Sequence, residues 1–430
     1  MYFIGVILLG QDKESPFYKV VDMTPRGYGV IKTGEKIIFT ENAVVGDICR
    51  IEKTGEKKNF ITAKAVEIKE PSPCRVDPEC PCYGKCGGCT LRTVSYETES
   101  TIKKAAVAAA FRKQGVKIGD LKDTLSPTPI RYRNKITVRV DRSGKIGFYE
   151  KRTNSIVDLP PEGCLNVPEK LTDAARELAD ALYSLKALPC EITVRSSTSG
   201  SVSAMISVDA SIGDRLLSAG FDRFPGIYSL GIRTDKSVIP IIGDTRLYNN
   251  ALGLSLGVSF NSFFQINYEG MTLLFEKIVE YAGSEPFDLC ADLFCGTGIW
   301  GLALALKYPG LRFYGIDLNE SAISDARMNA ERNGISNINF YSGDASIKTP
   351  DGRPDLVILD PPRAGCSEAM IRALLELSPE RIIYVSCNPF TLARDASALC
   401  DSGYGINEAT PVNMFPRTEH VECVTLMTRK

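Results

Sequence analysis

The second half of the chain has a rhythm that few architectures satisfy. From Asn261 onward, strand-like runs alternate with helical stretches: 288–294 before a helix from about Ile299, 312–316 before a helix from Ser321, then 356–359 and 381–385. Strands separated by helices pair in parallel, so the pattern predicts a doubly wound α/β unit with a largely parallel sheet. Ligands of such sheets bind beyond the carboxyl ends of the strands. Three strings fall at those ends: Asp292-Leu293-Phe294-Cys295-Gly296-Thr297-Gly298, Asp360-Pro361-Pro362-Arg363 and Ser386-Cys387-Asn388-Pro389. They are read as parts of one site.

Composition narrows the class. The 430 residues are enough for two or three domains, with 44% hydrophobic and 24% charged residues and a formal net charge of -1. That balance argues against a globally basic binder and leaves room for a local basic groove. The apolar run 1–10 has no basic residues before it and is too short to span a bilayer, so it reads as a strand or an ill-placed start. With no other long apolar stretch, the expectation is a cytoplasmic monomer without a membrane partner. Fourteen cysteines in so long a chain, half of them inside apolar runs, fit reduced thiols better than a disulfide framework. His420 is the only histidine, which removes Ser-His-Asp and Cys-His catalysis unless His420 itself serves. It also removes a His-rich metal site. A general base is then expected to be a carboxylate.

Upstream, five short runs (20–23, 28–31, 36–39, 47–51 and 60–66) are broken by glycines and predict a small OB-like barrel of five strands. Arg26-Gly27-Tyr28-Gly29-Val30 and Ala43-Val44-Val45-Gly46-Asp47 resemble the TRAM domain, an RNA-binding barrel. That resemblance would turn Lys32, Lys36, Lys53, Lys57 and Lys58 toward RNA phosphates; lysines simply solvated on a barrel are the alternative. Beyond Pro71-Ser72-Pro73, an alanine-rich helix over 101–114, a helix near 169–185 and strands at 135–140 and 202–208 give an α+β middle domain. The expected division is 1–69 for the barrel with a short extension and 259–430 for the α/β domain. Between them, 70–258 is a central domain with a cysteine-dense loop and a helical segment at about 93–124.

Gly296 and Gly298 permit a tight turn and close approach of a ligand to the backbone. Asp317 ends the next strand, where a ribose diol needs an acceptor, and Asp344 follows the strand after, within reach of an adenine amino group. A dinucleotide site would carry a third glycine. The arrangement resembles the Rossmann-like domain of a class I S-adenosylmethionine (SAM) methyltransferase. Asp360-Pro361-Pro362-Arg363 in turn resembles the motif by which many methyltransferases hold a planar base. Methylating an amine needs no thiol. Cys387, at a strand end, points instead to a weakly nucleophilic carbon such as C5 of uracil, made reactive by thiolate addition at C6 while Asp360 engages N3–H. The C5 proton must then leave to a base. Glu422 is the choice, with Glu419 and His420 as alternatives. Cys290, Cys295, Cys366, Cys400 and Cys423 read as inert thiols.

Taken in order, Ser262-Phe263-Phe264-Gln265-Ile266-Asn267, the glycine loop, the Asp-Pro-Pro-Arg string, the Ser-Cys-Asn-Pro string and His420-Val421-Glu422 resemble the RNA uracil-C5 methyltransferases. The resemblance runs from about residue 17 onward. It implies Gln265, Phe294, Gly296, Gly298, Asp317, Asp344 and Asp360 at SAM or the target base, Cys387 as nucleophile and Glu422 as proton acceptor. DNA cytosine-C5 methyltransferases place a Pro-Cys nucleophile before the carboxylate, unlike this order. The implied substrate is a flipped-out uridine in RNA, with 23S ribosomal RNA favoured by the barrel and cysteines and transfer RNA as the alternative.

Cys82, Cys86 and Cys89 spell the C-x3-C-x2-C of radical SAM enzymes, a reading that requires a β/α barrel to follow. The family reading instead uses Cys80, Cys86, Cys89 and Cys164 around a [4Fe-4S] cluster, with structural zinc as the alternative and Cys74 and Cys82 as extras. Arg131-Tyr132-Arg133-Asn134-Lys135 interleaves basic and aromatic residues and reads equally as an RNA-holding strand or an exposed strand edge. The rivals are a radical SAM methylthiotransferase and an RNA-binding protein with a retired catalytic domain.

Overall fold

The computed structural model describes residues 16–218, 224–235, 237–244, 246–260, 262–283, 286–347 and 352–430, so the run 1–10 lies outside it. The N-terminal segment contains β1 (Phe17–Lys19), β2 (Asp22–Met23), β3 (Gly29–Lys32), β4 (Ile37–Glu41), β5 (Ile48–Glu56) and β6 (Phe60–Glu70), ordered β1-β5-β6-β4-β3-β2. A bend at Val20-Val21 lets one stretch of chain serve both edges. β1 pairs with β5 and β2 with β3, while Val20 N–H donates to Asp47 O and Val21 N–H to Val30 O, both at 2.9 Å. Counting β1 and β2 as one bent strand gives the expected five-stranded OB-like barrel, closed on itself. Glu56 takes both Lys36 and Lys53, so two of the five lysines spend their charge within the barrel.

Next come α1 (Tyr96–Lys113), β7 (Ile118–Leu121), β8 (Lys135–Val140), β9 (Ile146–Tyr149), β10 (Ile156–Asp158), α2 (Glu169–Ser184), β11 (Cys190–Ser196), β12 (Val202–Ser207), α3 (Ala210–Ser218), β13 (Ser229–Arg233) and β14 (Val238–Ile242). Seven of these strands form the α+β sheet, in the order β10-β9-β8-β11-β12-β13-β14. Period-two alternation sends Val138, Ile192, Val194 and Ile206 to one face, where they pack on Leu171, Leu178 and Leu182 of α2. The opposite face is polar.

A hairpin of β15 (Arg246–Ala251) and β16 (Leu254–Ser259) leads into α4 (Tyr268–Ala282), β17 (Leu289–Leu293), α5 (Ile299–Lys307), β18 (Arg312–Asp317), α6 (Glu320–Arg332), β19 (Ile338–Ser342), β20 (Leu356–Leu359), α7 (Glu368–Leu377), β21 (Arg381–Ser386), α8 (Pro389–Asp401), β22 (Tyr404–Val412) and β23 (Glu422–Arg429). The sheet order is β19-β18-β17-β20-β21-β23-β22-β7. The first five strands are parallel, and β23 runs antiparallel between β21 and β22. Every residue of β17, β20 and β21 is buried, as strands covered on both faces must be. Strand order reverses at β17, which locates the ligand crevice.

α1 and β7 lie within the segment 70–258 yet pack and pair with this C-terminal sheet. β7 pairs in parallel with β22, and Val107, Ala110 and Phe111 of α1 share a core with α7 and α8. Without β7 the edge of β22 would stand open, and without α1 one face would be partly bare. The chain after the cysteine loop therefore does not build a β/α barrel of its own. Among the described residues no helix is long and apolar enough to cross a membrane.

Candidate active site

Asn388 and Pro389 form a helix start: Asn388 caps α8 by accepting the Phe390 N–H, and Pro389 occupies a first-turn position. Cys387 is thereby fixed between the end of β21 and the positive end of α8. Antiparallel pairing sets Ser386 opposite Cys423, so the next step along each chain sets Cys387 beside Glu422. Sequence motifs 35 residues apart become cross-strand neighbours. Glu422 is 6% exposed and its Oε2 has no hydrogen-bond partner. Burial, reinforced by the Asp360 carboxylate and opposed by Arg363, pushes its carboxyl up to about 8. Burial and the charge of Glu422 likewise push the Cys387 thiol up to about 11, against the pull of Arg363.

Asp360 ends β20 and accepts a hydrogen bond from Trp300 Nε1 at 2.9 Å; burial raises it to about 6 while that bond lowers it. The Arg363 carbonyl accepts from Asn388 Nδ2 (3.1 Å) and Thr391 Oγ1 (3.3 Å), tying the Asp-Pro-Pro-Arg turn to the Cys387 turn. Its guanidinium meets the His420 ring, with Nη2 at 2.9 Å from Nδ1. Burial and then Arg363 hold the His420 imidazole below its usual pKa, so it faces Arg363 as a neutral acceptor. Trp300, the only tryptophan of the chain, went unnoticed in the sequence, although its place just after the glycine loop was a signal.

The glycine turn behaves as a cradle. Gly296, at φ +53°, has open space where a side chain would stand, whereas a Cβ on Gly298 (φ +80°) would meet Phe340 at 2.6 Å. Gly298 caps α5 without a side-chain bond, leaving N–H groups of the first turn for a ligand. Asp317 holds the turn by accepting from Gly296 N–H (2.9 Å) and Asn319 N–H (2.8 Å). Buried Asp292 takes Gly301 N–H at 2.9 Å through Oδ2, and its Oδ1 has no partner. Phe294 sits in the turn at φ +68°. Asp344 is exposed beyond β19, bonded to Ser346. Gln265 is buried, its backbone carbonyl fixed by Asn134 Nδ2 at 2.9 Å.

The Arg131–Lys135 string is mostly framework and is not an exposed strand edge, since Tyr132 and Asn134 are buried and β8 runs between β9 and β11. Tyr132 is buried and donates to Pro416 O (3.0 Å), Arg131 binds the carbonyls of Cys164 and Val167, and Asn134 N–H donates to Ile266 O. Cys80, Cys86, Cys89 and Cys164 line one cavity of about 110 Å³ with Arg92 and Asn166. Cys82 also lines it, but its thiol donates to Asp158 O (3.3 Å); Cys74 donates to Val45 O (3.3 Å) and is not part of the lining. Among the described residues no group of three or more His, Cys, Asp or Glu is arranged to hold a metal ion. None of the fourteen cysteines forms a disulfide.

The glycine turn, the Asp-Pro-Pro-Arg turn and the Cys387 turn lie at the carboxyl ends of one parallel sheet, and residues 290–401 match a family model described as a methyltransferase domain. The chain is 33% identical over 447 residues to an uncharacterized RNA methyltransferase of Staphylococcus aureus, covering 96% of this chain and 97% of that one. It is 32% identical over 457 residues to another of Bacillus cereus, covering 97% of each. The structure of Pyrococcus abyssi tRNA (uracil-54, C5)-methyltransferase in complex with S-adenosyl-L-homocysteine superposes with a TM-score of 0.73 at 25% identity, over 96% of this chain and 100% of that one. The protein belongs to the RNA methyltransferases.

Proposed function

We propose that the protein methylates C5 of a uridine in RNA with SAM as donor. The observation that carries this reading is the cross-strand placement of Cys387 beside Glu422, with Asp360 and Arg363 around them. Gly296, Gln265, Phe294, Asp317 and Asp344 would hold SAM, whose sulfonium would supply the methyl group, the S–CH3 bond breaking with its electron pair left on sulfur. Cys387 Sγ bonds to C6 of the uracil, and the C5=C6 electron pair shifts to C5, which takes the methyl. Glu422 then accepts the C5 proton, the S–C6 bond breaks and the double bond returns. Asp360 orients the ring through N3–H. Arg363, which lowers the thiol pKa, favours the thiolate.

Cys80, Cys86, Cys89 and Cys164 line one cavity, and the resemblance to the RNA uracil-C5 methyltransferases assigns them to a [4Fe-4S] cluster, with structural zinc as the alternative. The likeness to the Pyrococcus enzyme favours transfer RNA as substrate. The TRAM-like barrel with a cysteine cluster favours 23S ribosomal RNA.

The test is methyl transfer from labelled SAM to unmodified ribosomal and transfer RNA, with nucleoside mapping by mass spectrometry. Wild type should yield 5-methyluridine in one of them and Cys387→Ala none. Glu422→Gln should accumulate a covalent RNA adduct on a denaturing gel. Transfer that survives Cys387→Ala would sink the covalent mechanism.

A further inference from the structure

The chain from Asp360 to Ser367, which carries the Asp-Pro-Pro-Arg string, forms neither helix nor strand and is held from outside. The holding groups are Asn388, Thr391, Arg394 and Asp395, which the helical period sets on one face of α8. Asn388 and Thr391 bond the Arg363 carbonyl, as described above, and the next pair takes the rest of the turn. Arg394 Nη2 donates to the carbonyls of Ala364 (2.9 Å) and Cys366 (3.0 Å), and Asp395 Oδ2 accepts the Cys366 N–H at 2.7 Å. The Asp395 carboxylate is 2% exposed and fully engaged. Tyr384 O–H, from β21, also donates to Oδ2 at 2.7 Å, while Arg394 Nε and Nη2 reach Oδ1 at 2.8 and 2.7 Å. Gly365 lies at φ +75°, and a Cβ there would meet Asp395 Oδ2 at 2.5 Å and Arg394 Nη2 at 2.7 Å. The turn is therefore seated directly on the Arg394–Asp395 pair.

The helix that starts just after Cys387 thus also grips the turn that presents Asp360 and Arg363. Burial, Glu422 and Asp360 raise the Cys387 thiol pKa and Arg363 lowers it, so the thiolate depends on where that turn stands. We propose that Arg394 and Asp395 are positioning residues, which clamp the Asp-Pro-Pro-Arg turn to α8 and so set Arg363 and Asp360 relative to Cys387. The proposal rests on the reading of Cys387 as nucleophile and adds what keeps its neighbours in place. Both residues act through the turn, not on the base or on SAM.

The experiment follows iodoacetamide alkylation of the Cys387 peptide by mass spectrometry, in the full-length protein at about pH 8, where the thiolate fraction sets the rate. Wild type is compared with Arg394→Lys and Asp395→Asn. Arg394 is half exposed, so lysine is accommodated; it keeps the charge and loses the planar fork that reaches two carbonyls and a carboxylate at once. Asp395→Asn removes a negative charge, which by itself favours the thiolate and faster alkylation. A displaced Arg363 should instead slow both variants, by about threefold or more. Single-turnover methyl transfer should fall at least about tenfold in both, with SAM affinity unchanged. Alkylation that is unchanged or faster in either folded variant overturns the positioning role. If Asp395→Asn also loses SAM affinity, as a misfolded protein would, Thr391→Val decides in its place: it removes one hydroxyl bond to the same turn, and an unchanged alkylation rate there is equally fatal. Alkylation needs no RNA, so its failure leaves the uracil-C5 reading standing. Methyl transfer that survives Cys387→Ala would remove that reading and leave the alkylation result in place.

Discussion

Glu422 is buried without a hydrogen-bond partner at Oε2, an arrangement that costs stability and suits a base. Its folded pKa of about 8 lies above the 4.5 of a free carboxyl, so the folded protein binds more protons than the unfolded chain between those values. Stability therefore falls as pH rises from about 4.5 through 8, while the proton-accepting form grows over the upper part of that range. Glu422→Gln should raise the melting temperature at pH 8 by several degrees and have little effect near pH 5, as thermal melts at the two values would read. A variant that melts lower at pH 8 than wild type would contradict the burial argument. The motif order made Glu422 a candidate, but its isolation was not legible. That depends on the strand register of β21 and β23 and on Asp360 reaching the same pocket from β20. Trp300 escaped although it follows the glycine loop, because its partner Asp360 lies 60 residues further along the chain.

At the level of elements, the two glycines of the ligand turn do different work. Gly298→Ala adds a Cβ 2.6 Å from Phe340 at a left-handed φ, and should cost about 2–3 kcal/mol of stability by thermal melts. Gly296→Ala meets nothing and bears only the left-handed strain, about 1 kcal/mol, yet fills the ligand's space. It should fold nearly normally and lose SAM binding by calorimetry, and equal loss of fold in both variants would refute the distinction. The βα rhythm was legible because strands buried on both faces must be continuously apolar, as Leu356-Val357-Ile358-Leu359 shows. The Arg131–Lys135 string was ambiguous because alternation alone does not say which face meets water. Tyr132 turned inward, and Lys135 lines a cavity with Arg195 and Arg233.

Across the whole molecule, the segments interlock. Thr90 and Leu91, just beyond Cys89, donate backbone N–H groups to Arg417 O at 2.9 and 3.2 Å, Tyr132 reaches Pro416, and Lys103 and Glu99 form a fully buried pair against the 413–417 loop. The loop before Glu422 is thus held by chain from more than 280 residues upstream. A fragment of 259–430 alone should be aggregation-prone and without cooperative melting. It loses α1, whose Val107 and Phe111 each contribute roughly 1.5–3 kcal/mol of burial, and it exposes β22. A soluble fragment with a sharp thermal transition would show that α1 and β7 are dispensable. This interlocking was invisible in the sequence because Ile118–Leu121 is a short strand whose partner lies nearly three hundred residues on.

The position of β23 also sets a timetable. It is made after β22 yet slots between β21 and β22, so during synthesis the edge of β21 waits unpaired until β23 emerges. A nascent chain therefore carries Cys387 before Glu422, and the two come together only once β23 has left the exit tunnel. Slow synthesis through 402–429 would prolong a sticky, inactive state.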